Sequence, residues 1–135
     1  ISRFLDADLI TPTEREARIS LRDNQIGLVR LADKLLNKTL AKNILLKLGE
    51  EGILVHPGKE NTNNEVTDRI GALNQSPKDV AGAGDSLLVS SSLALLCGSN
   101  IWEASYIGSI AASIQVGRVG NTPIQFKEIV DQIKD

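Results

Sequence analysis

Apolar positions recur along this chain with two different periods, and those periods predict its elements. Residues 4–10 carry Phe4, Leu5, Ala7, Leu9 and Ile10 and stop at Thr11-Pro12. That run predicts a short buried strand, ended where Pro12 lacks an N–H. Thr13 and Glu16 then stand in capping-box spacing, so a helix is predicted to start at Thr13. A second helix is predicted over 24–37, where Ile26, Val29, Leu31, Leu35 and Leu36 form an apolar stripe. Residues 44–48 and 53–56 read as two strands flanking Gly49-Glu50-Glu51-Gly52, and Pro57-Gly58 reads as a turn. The polar stretch 59–65 reads as a loop, and 66–73 as a further strand.

The pattern changes in the second half. Residues 87–97 are almost continuously apolar and predict a helix. Gly98-Ser99-Asn100 stops it and starts another over 102–117, with Ile107, Ile110, Ala111 and Ile114 at helical spacing. That second helix is rich in small residues, including Ala104, Gly108, Ser109, Ala112 and Ser113. Small residues admit another helix, or a flat ligand, at close range. Residues 117–123 read as a turn-rich loop, and 126–133 as a terminal helix with Ile129, Val130 and Ile133 on one face. Strands alternate with helices early and helices dominate late. The order predicts an α/β fold with helices layered on a mostly parallel sheet. No repeat, low-complexity stretch or linker divides the 135 residues, a length that suits one domain.

Composition narrows the partners. The net charge is −2, no basic block occurs and aromatics are 3%, which argues against nucleic acid. The longest apolar stretch, 87–97, contains three serines. It is shorter than the roughly 20 residues that span a bilayer, so no membrane partner is expected. A single cysteine, Cys97, excludes an internal disulfide and suits a reducing cytoplasm. Its apolar neighbours predict a core position. His56, the sole histidine, lacks metal-ligand partners at ordinary spacing and reads as a surface residue at a strand end. The chain has no methionine, even at position 1, and Ile1-Ser2-Arg3-Phe4 enters directly into an apolar pattern. The expectation is a processed chain or part of a longer one.

The chemistry concentrates at 79–86, which reads Asp79-Val80-Ala81-Gly82-Ala83-Gly84-Asp85-Ser86. This is a tight glycine turn opening into a helix. Unpaired N–H groups and the helix dipole there attract anions, phosphate above all. Asp85 would repel such a ligand unless it has a task, and the fitting task is to take a proton from a hydroxyl that attacks the phosphate. The plain alternative is an ordinary turn with Asp85 near a helix cap. No Gly-x-x-x-x-Gly-Lys-Ser/Thr occurs, and Leu87 stands where a third glycine would complete Gly-x-Gly-x-x-Gly.

Asp-x-x-Gly-Ala-Gly-Asp followed by an apolar helix resembles the signature of the ribokinase-like, or PfkB, sugar kinases. Other stretches follow in family order. Leu9-Ile10-Thr11-Pro12-Thr13-Glu14-Arg15-Glu16-Ala17 resembles the family's Thr-Pro-Asn-x-x-Glu-Ala segment. Lys47-Leu48-Gly49-Glu50-Glu51-Gly52 resembles its strand and Gly-x-x-Gly element, and 111–120 its adenine-side helix and following loop. The resemblance covers nearly the whole chain and corresponds to the C-terminal half of a typical member. The N-terminal half, which normally supplies the first strands, the lid and most sugar contacts, is absent from it. Residues 79–85 and 116–120 look most like the D-glycero-β-D-manno-heptose 7-phosphate kinases. Those enzymes phosphorylate the anomeric position for bacterial surface-polysaccharide (lipopolysaccharide) precursors. A nucleotidyltransferase domain follows the kinase in some of them.

The resemblance implies roles for named residues. Asp85 is the general base, and the N–H groups of Gly82, Ala83 and Gly84 form the anion hole. Gly49 and Gly52 admit the nucleotide, or alternatively close a plain hairpin. Lys47 stands where the family often has threonine, and Ser109 where an adenine-contacting asparagine often stands. Glu16 acts on Mg2+ and phosphate through water, although Thr13 replaces the family's asparagine; the capping box explains both residues equally well. Asp79 joins carbonyls near Ala81 and Gly120 around a monovalent cation, K+ in some members, or simply holds the turn. ATP and Mg2+ are the implied cofactors and a sugar phosphate the implied substrate. A homodimer through the full-length chain is compatible with the resemblance. The chain alone is expected to be inactive. The alternative is a nucleotide- or sugar-phosphate-binding module without catalysis.

Overall fold

The computed structural model describes residues 1, 3–58 and 66–134, so the predicted loop at 59–65 lies outside the described residues. The chain forms two compact units, Ile1–Ile70 and Gly71–Asp135, with no linker composition at the boundary. The first contains α1 (Glu14–Leu21), α2 (Leu28–Thr39), β1 (Asn43–Lys47), β2 (Ile53–Pro57) and β3 (Asp68–Ile70). The second contains α3 (Ala83–Leu96), α4 (Ile101–Val116) and α5 (Phe126–Lys134).

In the first unit the three strands lie in the order β1-β2-β3, antiparallel throughout. A mostly parallel sheet is therefore not what the named strands form. The reason is the short connection: the 3-10 turn Gly49–Glu51 joins β1 to β2, and so tight a link returns the chain antiparallel. Parallel pairing is confined to isolated bridges, Ile10 with Ile44 and Thr13 with Lys47. There the intervening α1 and α2 supply the crossover. The buried strand predicted over 4–10 does not form. Phe4 and Leu5 are exposed and Asp6 is left-handed. Pairing begins at Ile10, whose N–H donates to the Asn43 carbonyl, and ends at Pro12, whose carbonyl accepts from Lys47.

α1 starts as its sequence dictates. The Glu16 N–H donates to Thr13 Oγ1 at 3.1 Å, and the Thr13 N–H donates to Glu16 Oε2 at 2.7 Å. α2 begins later than predicted and turns Leu31, Ala32, Leu35 and Leu36 onto Ile10, Ile44, Leu46 and Leu54. Val29, placed in the predicted stripe, is exposed, because it lies one position out of phase with the buried face. His56 is buried rather than a surface residue. It sits on the central strand, and its Nδ1 lies 2.6 Å from Thr67 Oγ1. Burial pushes its imidazole below the ordinary 6.5, against a smaller opposing effect of the Asp33 carboxylate.

In the second unit α3 packs along α4. Gly108 makes the contact close: a Cβ there would run into Ser91 Oγ and the Leu87 carbonyl. The small residues of α4 thus admit a helix. Cys97 is exposed, not in the core, because α3 ends at Leu96 and the chain turns away through Gly98 at φ +92°. Asn100 and Glu103 form a second capping box at the start of α4. α5 packs on α4 and buries none of its residues fully. Among the described residues, no helix is long and apolar enough to cross a membrane.

Gly108→Ala forces either Ser91 or the Leu87 backbone to move and is expected to destabilise the protein by about 1–3 kcal/mol, read from urea denaturation. For His56, the unfolded chain takes up a proton at higher pH than the folded one. Its contribution is complete above the ordinary value and falls as pH drops through the lower folded value. Melting temperature should therefore fall as pH drops below about 6.5, and His56→Gln should flatten that part of the profile.

Candidate functional site

In the first unit the bridge between Thr13 and Lys47 sets the start of α1 beside the end of β1. An open groove of about 650 Å3 runs there, lined by Thr13, Arg15, Arg18, Asn24, Lys47 and Gly49 among others. The Glu16 carboxyl is held below the usual range, first by the Thr13 backbone N–H and further by the Lys47 charge. So Glu16 is ionised at neutral pH, has one oxygen in the cap, and can still accept through the other. That chemistry suits an outer-sphere Mg2+ partner, and it coexists with the capping role. Arg18 pairs with Glu14 at 2.8 Å. Gly49 (φ +64°) and Gly52 (φ +89°) are both left-handed, and the Leu48 N–H donates to the Gly52 carbonyl. They close the β1–β2 hairpin. Gly49 also has open space where a Cβ would stand, which leaves its backbone approachable.

In the second unit the motif does what its glycines permit. Gly82 caps α3 at φ +77° without a side-chain hydrogen bond. The Ala83 N–H reaches back to the Val80 carbonyl at 3.3 Å, and the Ser86 N–H bonds the Gly82 carbonyl at 2.9 Å. Among the described residues, the N–H groups of Gly82, Gly84 and Asp85 have no acceptor. Asp85 lies in the first turn of α3 and is exposed. A carboxylate thus stands beside open amides at a positive helix end, an arrangement that can hold an anion and take a proton.

Asp79 secures this turn. Its Oδ1 accepts the Ala81 N–H at 2.9 Å and its Oδ2 the Gly120 N–H at 3.1 Å. The two bonds, Ala81 first, hold its carboxyl below the usual range. They support the turn-holding role directly. A carboxylate has about four acceptor positions, so room remains for a cation. Ser109 is half-buried on α4 beside the close-packed Gly108.

Sequence reasoning passed over two neighbours of the motif. The Asn121 side chain lies against Gly82, filling the space a Cβ would take. Gln115 is 1% exposed, and its Nε2 donates to the Gly120 carbonyl at 3.1 Å. A signal for Gln115 was available: it falls in phase with Ala104, Gly108 and Ala111 on the buried face of α4. Gly82→Ala combines a left-handed backbone with a collision against Asn121. It is expected to cost about 1–2 kcal/mol, measured by urea denaturation.

The pfkB family carbohydrate kinase model matches residues 1–126. A bifunctional protein HldE from Desulfatibacillum aliphaticivorans is 33% identical over 99% of this chain, which covers 27% of that protein. The chain spans about a quarter of the length of such curated relatives. A ribokinase from Thermotoga maritima superposes with TM-score 0.79 at 27% identity, over 95% of this chain and 42% of its own. The phosphofructokinase-2 from Escherichia coli in complex with potassium gives TM-score 0.79 at 18% identity, over 94% and 40%.

Proposed function

This chain belongs to the pfkB family of carbohydrate kinases, and we propose that it is the C-terminal, nucleotide-binding and catalytic part of an ATP-dependent sugar kinase domain. The observation that carries the reading is the Asp85 carboxylate beside the open amides of Gly82, Gly84 and Asp85. The sugar we assign is heptose 7-phosphate, converted to the 1,7-bisphosphate. Similarity to bifunctional HldE proteins and the sequence of 79–85 and 116–120 support it.

Asp85 takes the proton from the sugar hydroxyl as its oxygen bonds to the γ-phosphorus of ATP. The bond from that phosphorus to the bridging oxygen breaks, and ADP leaves with the electron pair. The N–H groups of Gly82, Ala83 and Gly84 stabilise the phosphoryl oxygens during transfer. For Ala83 this means releasing its 3.3 Å bond to Val80. Lys47, Gly49 and Gly52 hold the nucleotide phosphates, and Ser109 lies on its adenine side. Glu16 would hold Mg2+ through water, and the ion would supply neutralisation of the phosphate charge. Asp79 is the residue to which we assign a monovalent cation, K+ by analogy with the potassium-bound relative. The chain alone is inactive in this reading, because most sugar contacts belong to the remainder of the protein. Thr13 and Ser109, each in place of an asparagine, favour the second reading of a binding module without turnover.

The test is Asp85→Asn in the full-length protein with ATP and heptose 7-phosphate. kcat should fall about 10²- to 10⁴-fold, with KM for ATP little changed. Turnover near the wild-type rate would remove Asp85 as the base. ATP-analogue binding with no turnover by the wild-type protein on any sugar would favour the binding module.

A further inference from the structure

We infer that Gln115 is a positioning residue for the Gly82 turn, acting through Gly120 and Asp79; its importance for catalysis rests on the reading of that turn as the anion hole. Among the described residues, no hydrogen bond links Gln115 to the turn itself. Gln115 is a buried carboxamide on a helix face shared with Ile101, Ala104, Gly108 and Ala111, where the other buried polar side chain, Ser105, bonds its own helix at the Ile101 carbonyl. Burying an amide without a partner costs roughly 1–3 kcal/mol, whereas leucine would fill similar space without that liability. The feature leucine lacks is a donor, and Gln115 spends its donor on the Gly120 carbonyl at 3.1 Å.

Gly120 is therefore held at both polar ends. Its carbonyl accepts from Gln115, and its N–H donates to Asp79 Oδ2. The other oxygen of Asp79 accepts from Ala81, the residue before Gly82. The path Gln115–Gly120–Asp79–Ala81 is continuous, with every link between 2.9 and 3.1 Å. Gly120 is left-handed at φ +80°, a backbone that strains other residues and turns the next one, Asn121, against Gly82. Thus one buried donor sets a loop that both braces the turn through Asp79 and packs on it through Asn121.

The turn needs such bracing from outside. Its amides at Gly82, Gly84 and Asp85 have no acceptor among the described residues, so no bond of their own fixes their direction. Further support comes from the Lys78 and Asp79 N–H groups, which both donate to the Val116 carbonyl, one residue past Gln115. That tie reaches only the start of the motif. Misplacement by about 1 Å can cost 10² in rate, so a distant donor can matter to turnover without touching substrate.

The experiment compares Gln115→Leu, Gln115→Glu and Asp79→Asn in the full-length protein. Hydrogen–deuterium exchange is followed in peptides covering 79–86, and kcat and KM are measured for ATP. Gln115→Leu should speed exchange of the bonded amides in that stretch, Asp79, Ala81, Ala83 and Ser86, about tenfold. It should lower kcat about 10- to 100-fold with KM for ATP within about twofold. Gln115→Glu, which keeps the shape and loses the amide donor, should do the same, and it decides the matter if the leucine variant does not fold. The double variant Gln115→Leu/Asp79→Asn should cost no more than the worse single one, since both cut one path. Unchanged exchange at 79–86 in a folded Gln115 variant, or strictly additive losses, overturns the inference. Asp85→Asn separates the two readings. It should lower kcat about 10²- to 10⁴-fold without changing exchange in the turn, and if turnover stays near the wild-type rate while the Gln115 variants still loosen 79–86, the base is wrong and the brace stands.

Discussion

Open amides at the start of α3, with no side-chain cap to hold them, are the constraint around which the second unit is arranged. A helix start normally satisfies its first N–H groups with a side-chain cap. α4 does so with Asn100 and Glu103, and α1 with Thr13 and Glu16. α3 does not: its cap position is Gly82, which has no side chain to offer. Rigidity has to come from elsewhere, and it comes from Asp79 and the loop at 117–121. The glycine is doubly required, for its left-handed φ and for the room it leaves Asn121.

Charge follows the same logic. Asp79 and Asp85 stand six residues apart in one motif, but their surroundings give them opposite tasks. Two backbone donors occupy Asp79 and make its ionised form part of the fold. Asp85 has no donor of that kind among the described residues and keeps its carboxylate available. In the first unit Glu16 combines both conditions, with one oxygen in the cap and a lysine charge nearby. Structural and chemical roles are therefore not rivals at Glu16, since a carboxylate has enough acceptor positions for both.

What the sequence alone determined is what depends on near neighbours. Capping needs only Thr13 and Glu16 at the right spacing, the hairpin only Gly49 and Gly52, and the open helix start only Gly82 through Asp85. The family, too, is written in these local motifs. What tertiary structure decided is which surfaces are covered and by what. An apolar residue has no address until its partner is placed, so Phe4, Leu5, Val29 and Cys97 could be exposed despite apolar neighbours. His56 and Gln115 could be buried because Thr67 and the Gly120 carbonyl arrive to meet them. Strand direction belongs to the same class: period shows that a strand exists, but only the path of the connection shows whether it returns parallel or antiparallel. The amides at Gly82 could be read from the sequence; the bracing that holds them could not, because its donor lies on a different helix, far along the chain.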